Sequence, residues 1–487
     1  MLKKPPNFFV AVFALFLFAT SPVFAADATD AQILHLLNRI SFGPVPGDIE
    51  NVRRIGIDAY IDQQLHPDEL TPSSELQSRL KELPTLDASM HQLASQYFIP
   101  PEEEKQLSED ARKDYHQRQN VIVKELAEAK ILRAVMARAQ LQEVMADFWF
   151  NHFNVFAEKG ADKIFISSYE RDAIRLYALG HFRDLLMATA RHPAMLFYLD
   201  NWLNTNPNSP GARGKKIGIN ENYAREIMEL HTLGVNGGYT QTDVTTLAHI
   251  LTGWGLGEGK GLENRAEFYF EPRRHDFSDQ ALLGYHVPGG NQQEIEAVLA
   301  MLAKHPATAH HISYELAQYF VADDPPKPLV DKLTSVYKST DGDIAAMLKT
   351  IFRSPEFWDQ QYTQNKFKPP FRFVISALRA SNVVPPGDTK AIQGAVGQMG
   401  EPLYRCPTPN GYSNTNDQWL NSDTLLKRIE FSKKLSNVLA FGGDSKETIE
   451  SALGGKNWST NTRQTVDNAE PNLQPAMLLA SPEFVYY

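Results

Sequence analysis

The chain has 487 residues, 43% of them apolar and 22% charged, a globular composition with length for one large core or for two to three domains. Its formal charge of −10 supplies no basic surface, which excludes nucleic acid and anionic membranes as generic partners. A single cysteine, Cys406, excludes an intrachain disulfide framework and leaves stability to packing.

Residues 1–25 read as a signal peptide: Lys3 and Lys4, an apolar run over 8–19, then Val23-Phe24-Ala25 as a small-residue cleavage site. The run is too short to span a bilayer, so the mature chain from Ala26 is expected in the periplasm or outside the cell, without a transmembrane anchor. Loss of Lys3 and Lys4 leaves 48 − 2 basic against 58 acidic side chains, a formal charge of −12.

Residues 26–67 form an N-terminal helical segment, opened by DAQILHLLNR with Asp30 as the expected cap. The span 68–112 is polar and reads as a linker or loop region. From 113 to 440 the helical signal dominates, and 441–487 is an extension packed on it. The fold class predicted is all-α, with more than ten helices and one small β-hairpin insertion around 265–288, where RAEFYFEPR alternates and carries aromatics.

The segment LQEVMADFWFNHFNVF places Glu143, Asp147, Asn151 and Asn154 on one stripe about 80° wide at 100° per residue. Large apolar residues fill the remaining circumference, so these polar groups must find donors, ions or water. His152 falls on the apolar side and reads as structural. In NENYAREIMELHTLGVNGGYTQTDVTTLAHILTGW, Asn222, Arg225, Glu226 and Glu229 share a polar face, and His231 again falls opposite, as a structural or supporting residue. Gly234 ends that helix, Gly237-Gly238 turn the chain, and Thr240 with Asp243 is a capping-box pattern for the next helix.

Two sites are candidates. Asp147, Glu226 and Glu229 can converge between helices to hold a divalent metal, and Arg225, Glu226, Glu229, His275 and Asp276 are the candidate catalytic groups. Asn151, Asn154, Asn222, Trp254, Tyr412 and Trp419 are candidate binding residues, the aromatics as faces for sugar rings. The same carboxylates can equally form buried ion pairs with Arg225, Lys215 and Lys216, and Asp276 can simply cap its turn. His311 and Glu315, one helical turn apart, can form an ion pair or part of a site. No His-Glu-x-x-His, Gly-x-Ser-x-Gly, phosphate-binding glycine loop or Cys-x-x-Cys occurs.

LLNRISFGPVPGD, DFWFNHFNVF, the central ENYAREIMELHTLGVNGGYTQTDVTTLAHILTGW, FEPRRHDFSDQALLG and HPATAHHISYELAQYFV, in this order over residues 30–440, resemble the large bacterial family of exported proteins called domain of unknown function 1800. The resemblance implies export and a co-exported, sulfatase-like partner protein, and it carries no catalytic residue with it. Two functions stay open: an enzyme, with or without a metal, acting on a polysaccharide or other envelope polymer, and a non-catalytic binding or assembly factor for a co-exported partner.

Overall fold

The structure is a computed structural model that describes residues 28–99, 101–212, 218–257, 266–439, 445–455 and 458–487. The leader expected at 1–25, together with Lys215 and Lys216, lies outside the described residues. Helices dominate, joined by two small antiparallel β-hairpins.

The first helix, Asp30–Ile40, is capped one residue earlier than expected: Thr29 and Gln32 form a reciprocal capping box, and Asp30 sits in the first turn. Its inner face buries Ile33, Leu36, Leu37 and Ile40. The span expected as polar loop contains the helices Ser74–Lys81 and Met90–Tyr97, which bury Leu76, Leu93 and Ala94. Each buries only one or two apolar residues per helix, too few to show as a periodic stripe in a polar sequence. Two helices then run to the middle of the molecule, Glu109–Met136 and Gln140–His152.

The central stretch is not one regular helix. An α-helical turn, Asn222–Glu226, passes into a π-helical turn, Ile227–His231, and the capping box of Thr240 and Asp243 opens Gln241–Ile250 as predicted. The extended residues form two hairpins rather than one. β1 (Trp254–Leu256) pairs with β2 (Phe268–Phe270), and β3 (Gln280–Leu282) pairs with β4 (Tyr285–Val287). Leu283 and Gly284 both have positive φ (52° and 80°), the conformation a two-residue hairpin turn needs, and this closes β3 on β4. Phe268–Phe270 is left to pair with the residues that follow the central helix.

The helix Pro370–Ala380 is buried along its whole length, including Arg372 and Arg379. Arg372 donates from Nη1 to the carbonyls of Asn38 (2.8 Å) and Ser41 (2.6 Å), and from Nη2 to the Tyr319 hydroxyl (3.2 Å). Arg379 donates to the Val135 carbonyl at 2.7 Å and to that of Gly43. The Tyr487 ring lies 4.8 Å from the guanidinium of Arg39 and 4.8 Å from that of Arg372. Backbone pairing of Lys366 with Tyr487 and of Lys368 with Val485 holds the last residues in place.

Arg372→Ala leaves two carbonyls at the end of the first helix without their donor and removes a cation from the rings of Phe42, Tyr319 and Tyr487. We expect it to destabilise the fold by roughly 3–5 kcal/mol, measured as a lowered urea midpoint. Arg372→Lys should recover part of the loss, since one ammonium keeps the charge but not the forked geometry.

Candidate functional site

Three elements meet around four side chains that lie far apart in sequence. Gln140–His152 ends with His152, the π turn ends with His231, and the helix Pro306–Phe320 contributes His311 and Glu315 one turn apart. Nδ1 of His152 lies 2.8 Å from Oε2 of Glu315, and Nε2 of His311 lies 3.7 Å from Oε1 of the same carboxylate. Nε2 of His152 faces the His231 carbonyl at 3.3 Å, and Nε2 of His311 faces that of Leu230 at 3.2 Å, so the π turn anchors both rings. The ring centroids of His231 and His311 stand 6.1 and 6.3 Å from that of His152.

Burial opposes ionisation of Glu315, yet the neighbouring His152 and His311 rings outweigh it and hold the carboxyl below its usual range. His231 is almost wholly buried. Burial, reinforced by the other two histidines, drives its imidazole well below the ordinary value, and its Nε2 has no hydrogen-bond partner among the described residues. Gly234 makes the close approach possible: at φ 81°, a Cβ there would come within 3.0 Å of His311 Nδ1. The helix closes at His231 with Thr232 as its cap, ahead of the expected stop at Gly234, and the glycine instead clears space for a site residue.

His152 and Glu315 line a cavity of about 440 Å³ whose far wall is the loop 408–418. Asn151 and Asn154 fix that loop. Asn151 accepts from the Tyr412 backbone amide (2.7 Å) and donates to the Tyr412 carbonyl (2.8 Å), while Asn154 donates to the carbonyls of Cys406 (3.0 Å) and Thr408 (2.8 Å). Gly411 lies so close that a Cβ would come within 2.4 Å of the Asn151 carbonyl oxygen. Tyr412 is on the cavity wall, and Trp419 sits buried behind it with its indole donating to the Ser413 carbonyl at 3.0 Å.

The rest of the polar stripe faces inward. Asp147 pairs with Lys130 at 2.5 Å, and Lys130 lies 5.2–5.7 Å from the rings of Phe150, Phe371 and Tyr404. Glu143 pairs with Arg175 at 2.8 Å, and Arg175 bridges to Glu170 at 3.3 Å. A second space, of only about 50 Å³, is bounded by Lys130, Asp147, Arg372 and Glu401. Burial and then the charge of Asp147 push the Glu401 carboxyl up to about 8, against a hydrogen bond from the Phe371 amide and the pull of Lys130 and Arg428.

The remaining candidates occupy two separate places. Arg225 pairs with Glu221 (3.3 Å) and Gln241 (2.9 Å), Glu229 accepts from the Tyr239 hydroxyl (3.2 Å), and Asn222 donates to the Leu199 carbonyl (3.3 Å). Burial and the nearby Glu229 raise the Glu226 carboxyl, with Arg225 opposing. Among the described residues no hydrogen bond or ion pair joins Glu226 or Glu229 to Asp147, Asn151 or His275. His275 is buried, with Nδ1 2.7 Å from the Thr252 carbonyl and Nε2 3.5 Å from Glu294. Asp276 binds His249 at 2.7 Å and caps its turn through Ser278, two contacts that outweigh burial and lower its carboxyl. Trp254 is in the core, its indole donating to the Ala190 carbonyl at 2.9 Å, so no face is left for a sugar. Among the described residues, no group of three or more His, Cys, Asp or Glu side chains is arranged to hold a metal ion.

The sequence showed His311 and Glu315 only as a local pair, and it placed His152 and His231 on apolar faces. The signal available was that two histidines, His152 and His231, occupy otherwise apolar helix faces; whether they meet each other and the His311–Glu315 pair depends on how the helices cross.

Glu401 yields a pH prediction. Its folded value lies above its ordinary 4.5, so the stability it contributes is complete below 4.5 and is lost as pH rises toward about 8, where the unfolded chain ionises first. Glu401→Gln should flatten the fall in denaturation midpoint between those limits, as followed by urea unfolding across the pH range.

No curated protein and no solved structure matches the chain. The model of the family described as "Protein of unknown function (DUF1800)" matches residues 35–486, and the chain belongs to that family.

Proposed function

We propose that the chain is an exported acid–base enzyme that cleaves an envelope polymer, with Glu315 as the charged centre and His152 and His311 as its proton partners. One observation carries this reading: a carboxylate held ionised between two histidines opens on a cavity of about 440 Å³. A carboxylate aimed by an imidazole is the arrangement that proton transfer requires. Glu315 takes a proton from an attacking water as the new bond to oxygen forms. A histidine of the cluster gives a proton to the leaving oxygen as the old bond breaks, and the proton on Glu315 then restores that histidine. Export rests on the leader-like residues 1–25.

A second reading, a non-catalytic factor that docks a co-exported protein, has its own observation. Leu425, Leu426 and Ile429 are exposed on the helix Ser422–Leu439, beside an apolar groove of about 420 Å³.

Glu315→Gln preserves shape while removing the charge. We expect it to lower turnover of a cleaved polymer by roughly 10²–10⁴-fold with little change in melting temperature. The assay runs on a panel of envelope polysaccharides, with and without added divalent cations, so that a metal requirement is scored separately. Undiminished turnover in a folded Glu315→Gln protein would rule out the acid–base reading.

A further inference from the structure

We infer that the cavity beside Glu315 is a subsite for an uncharged sugar chain, an inference that deepens the acid–base reading and names its substrate class. The wall carries this inference. Apart from Glu315 and His152, the described residues lining it carry no ionisable side chain except the Tyr412 phenol, and they include Asn410, Asn414, Gln318 and Gln418. No lysine or arginine is among them, so a sulfated, phosphorylated or uronate polymer would lose water without gaining a counter-charge. The Glu315 carboxylate already faces Nδ1 of His152 at 2.8 Å and Nε2 of His311 at 3.7 Å, so its oxygens are engaged within the cluster.

What the wall offers is amides and a ring. Each amide presents both a donor and an acceptor, the complement of a sugar hydroxyl that does both. Among the described residues the side chains of Asn410 and Asn414 make no hydrogen bond within the chain, whereas Asn151, on the same wall, spends its amide on the Tyr412 backbone. The two free amides flank Tyr412, whose hydroxyl is tied to the Pro402 carbonyl at 2.9 Å and whose ring stands 6.1 Å from that of Trp419. The Tyr412 ring is therefore held at its hydroxyl and packed against the tilted Trp419 ring, and an aromatic ring fixed on the wall can pack against the apolar face of a pyranose. The loop that carries these groups is held by three hydrogen bonds donated by Asn151 and Asn154 and one that Asn151 accepts, so little ordering remains to be done on binding. A peptide would also find amide partners here, but it would bring main-chain groups that pair best with an extended edge, and the wall is a turn.

The test uses the full mature chain carrying Glu315→Gln, so that bound polymer persists, and isothermal titration calorimetry with four probes: a neutral glucan oligosaccharide, an N-acetylhexosamine oligomer, an oligouronate and an uncharged peptide. We expect one of the neutral sugars to bind, and Asn410→Ala with Asn414→Ala to weaken it at least tenfold without lowering the melting temperature. Should that pair impair folding, each single variant is titrated instead, with a threefold loss expected. Binding only of the oligouronate or the peptide, binding of none of the four, or sugar affinity unchanged in folded Asn410→Ala and Asn414→Ala variants would each overturn the inference. If sugar binds as expected and wild type cleaves none of it, the subsite stands and the catalytic reading falls.

Discussion

Buried positive charge needs partners, and around the helix Pro370–Ala380 they are mostly not carboxylates. Arg39, Lys366, Lys368, Arg372, Arg379 and Arg428 are all almost fully buried. Many of their donors end on backbone carbonyls of distant segments, Lys368 donates to the Ser376 hydroxyl, and several of the cations lie against rings: Arg428 over Phe367 and Phe373, Lys368 over Phe484, and both Arg39 and Arg372 against Tyr487. A guanidinium stacked on an aromatic ring keeps part of its stabilisation while losing water. Each such cation would be costly without its ring or carbonyl, so the end of the first helix, the stretch before Pro370 and the last residues are required to meet at one place.

That requirement reaches the candidate site. Arg372 also donates to Tyr319, on the same helix as His311 and Glu315, and Lys366 donates to the carbonyls of Gln318 and Asn414 while pairing with Asp323. The helix that carries Glu315 and the loop that walls its cavity are thus tied to one buried ammonium. On the other side, Glu143, Asp147 and Glu170 are matched by Arg175, Lys130 and Arg133, which locks Gln140–His152 in rotation and so aims His152. Local departures complete the geometry: the π turn before Thr232 turns the carbonyls of Leu230 and His231 toward two imidazoles, and π turns of this kind recur at functional sites.

The polar stripe on Gln140–His152 shows how one pattern divides its labour. Charged members near the start of the stripe meet buried cations, and the amides near its end hold the loop over the cavity. The histidine that faces the cavity cluster is off the stripe altogether, next to Asn151 in sequence and on another face of the helix.

Read alone, the sequence determined the helical class, the capping box at Thr240 and the polar stripe, because all of these follow from residues within a few positions of one another. It also marked His311 and Glu315 as neighbours, since one helical turn separates them. Only the tertiary structure decided that His152 and His231 join them, that Asp147 turns to Lys130 rather than to Glu226, and that Phe268–Phe270 pairs with Trp254–Leu256. Those contacts depend on how separate helices cross and strands pair. The crossings are set by buried cations choosing among carbonyls, carboxylates and rings, a choice that helical periodicity does not encode.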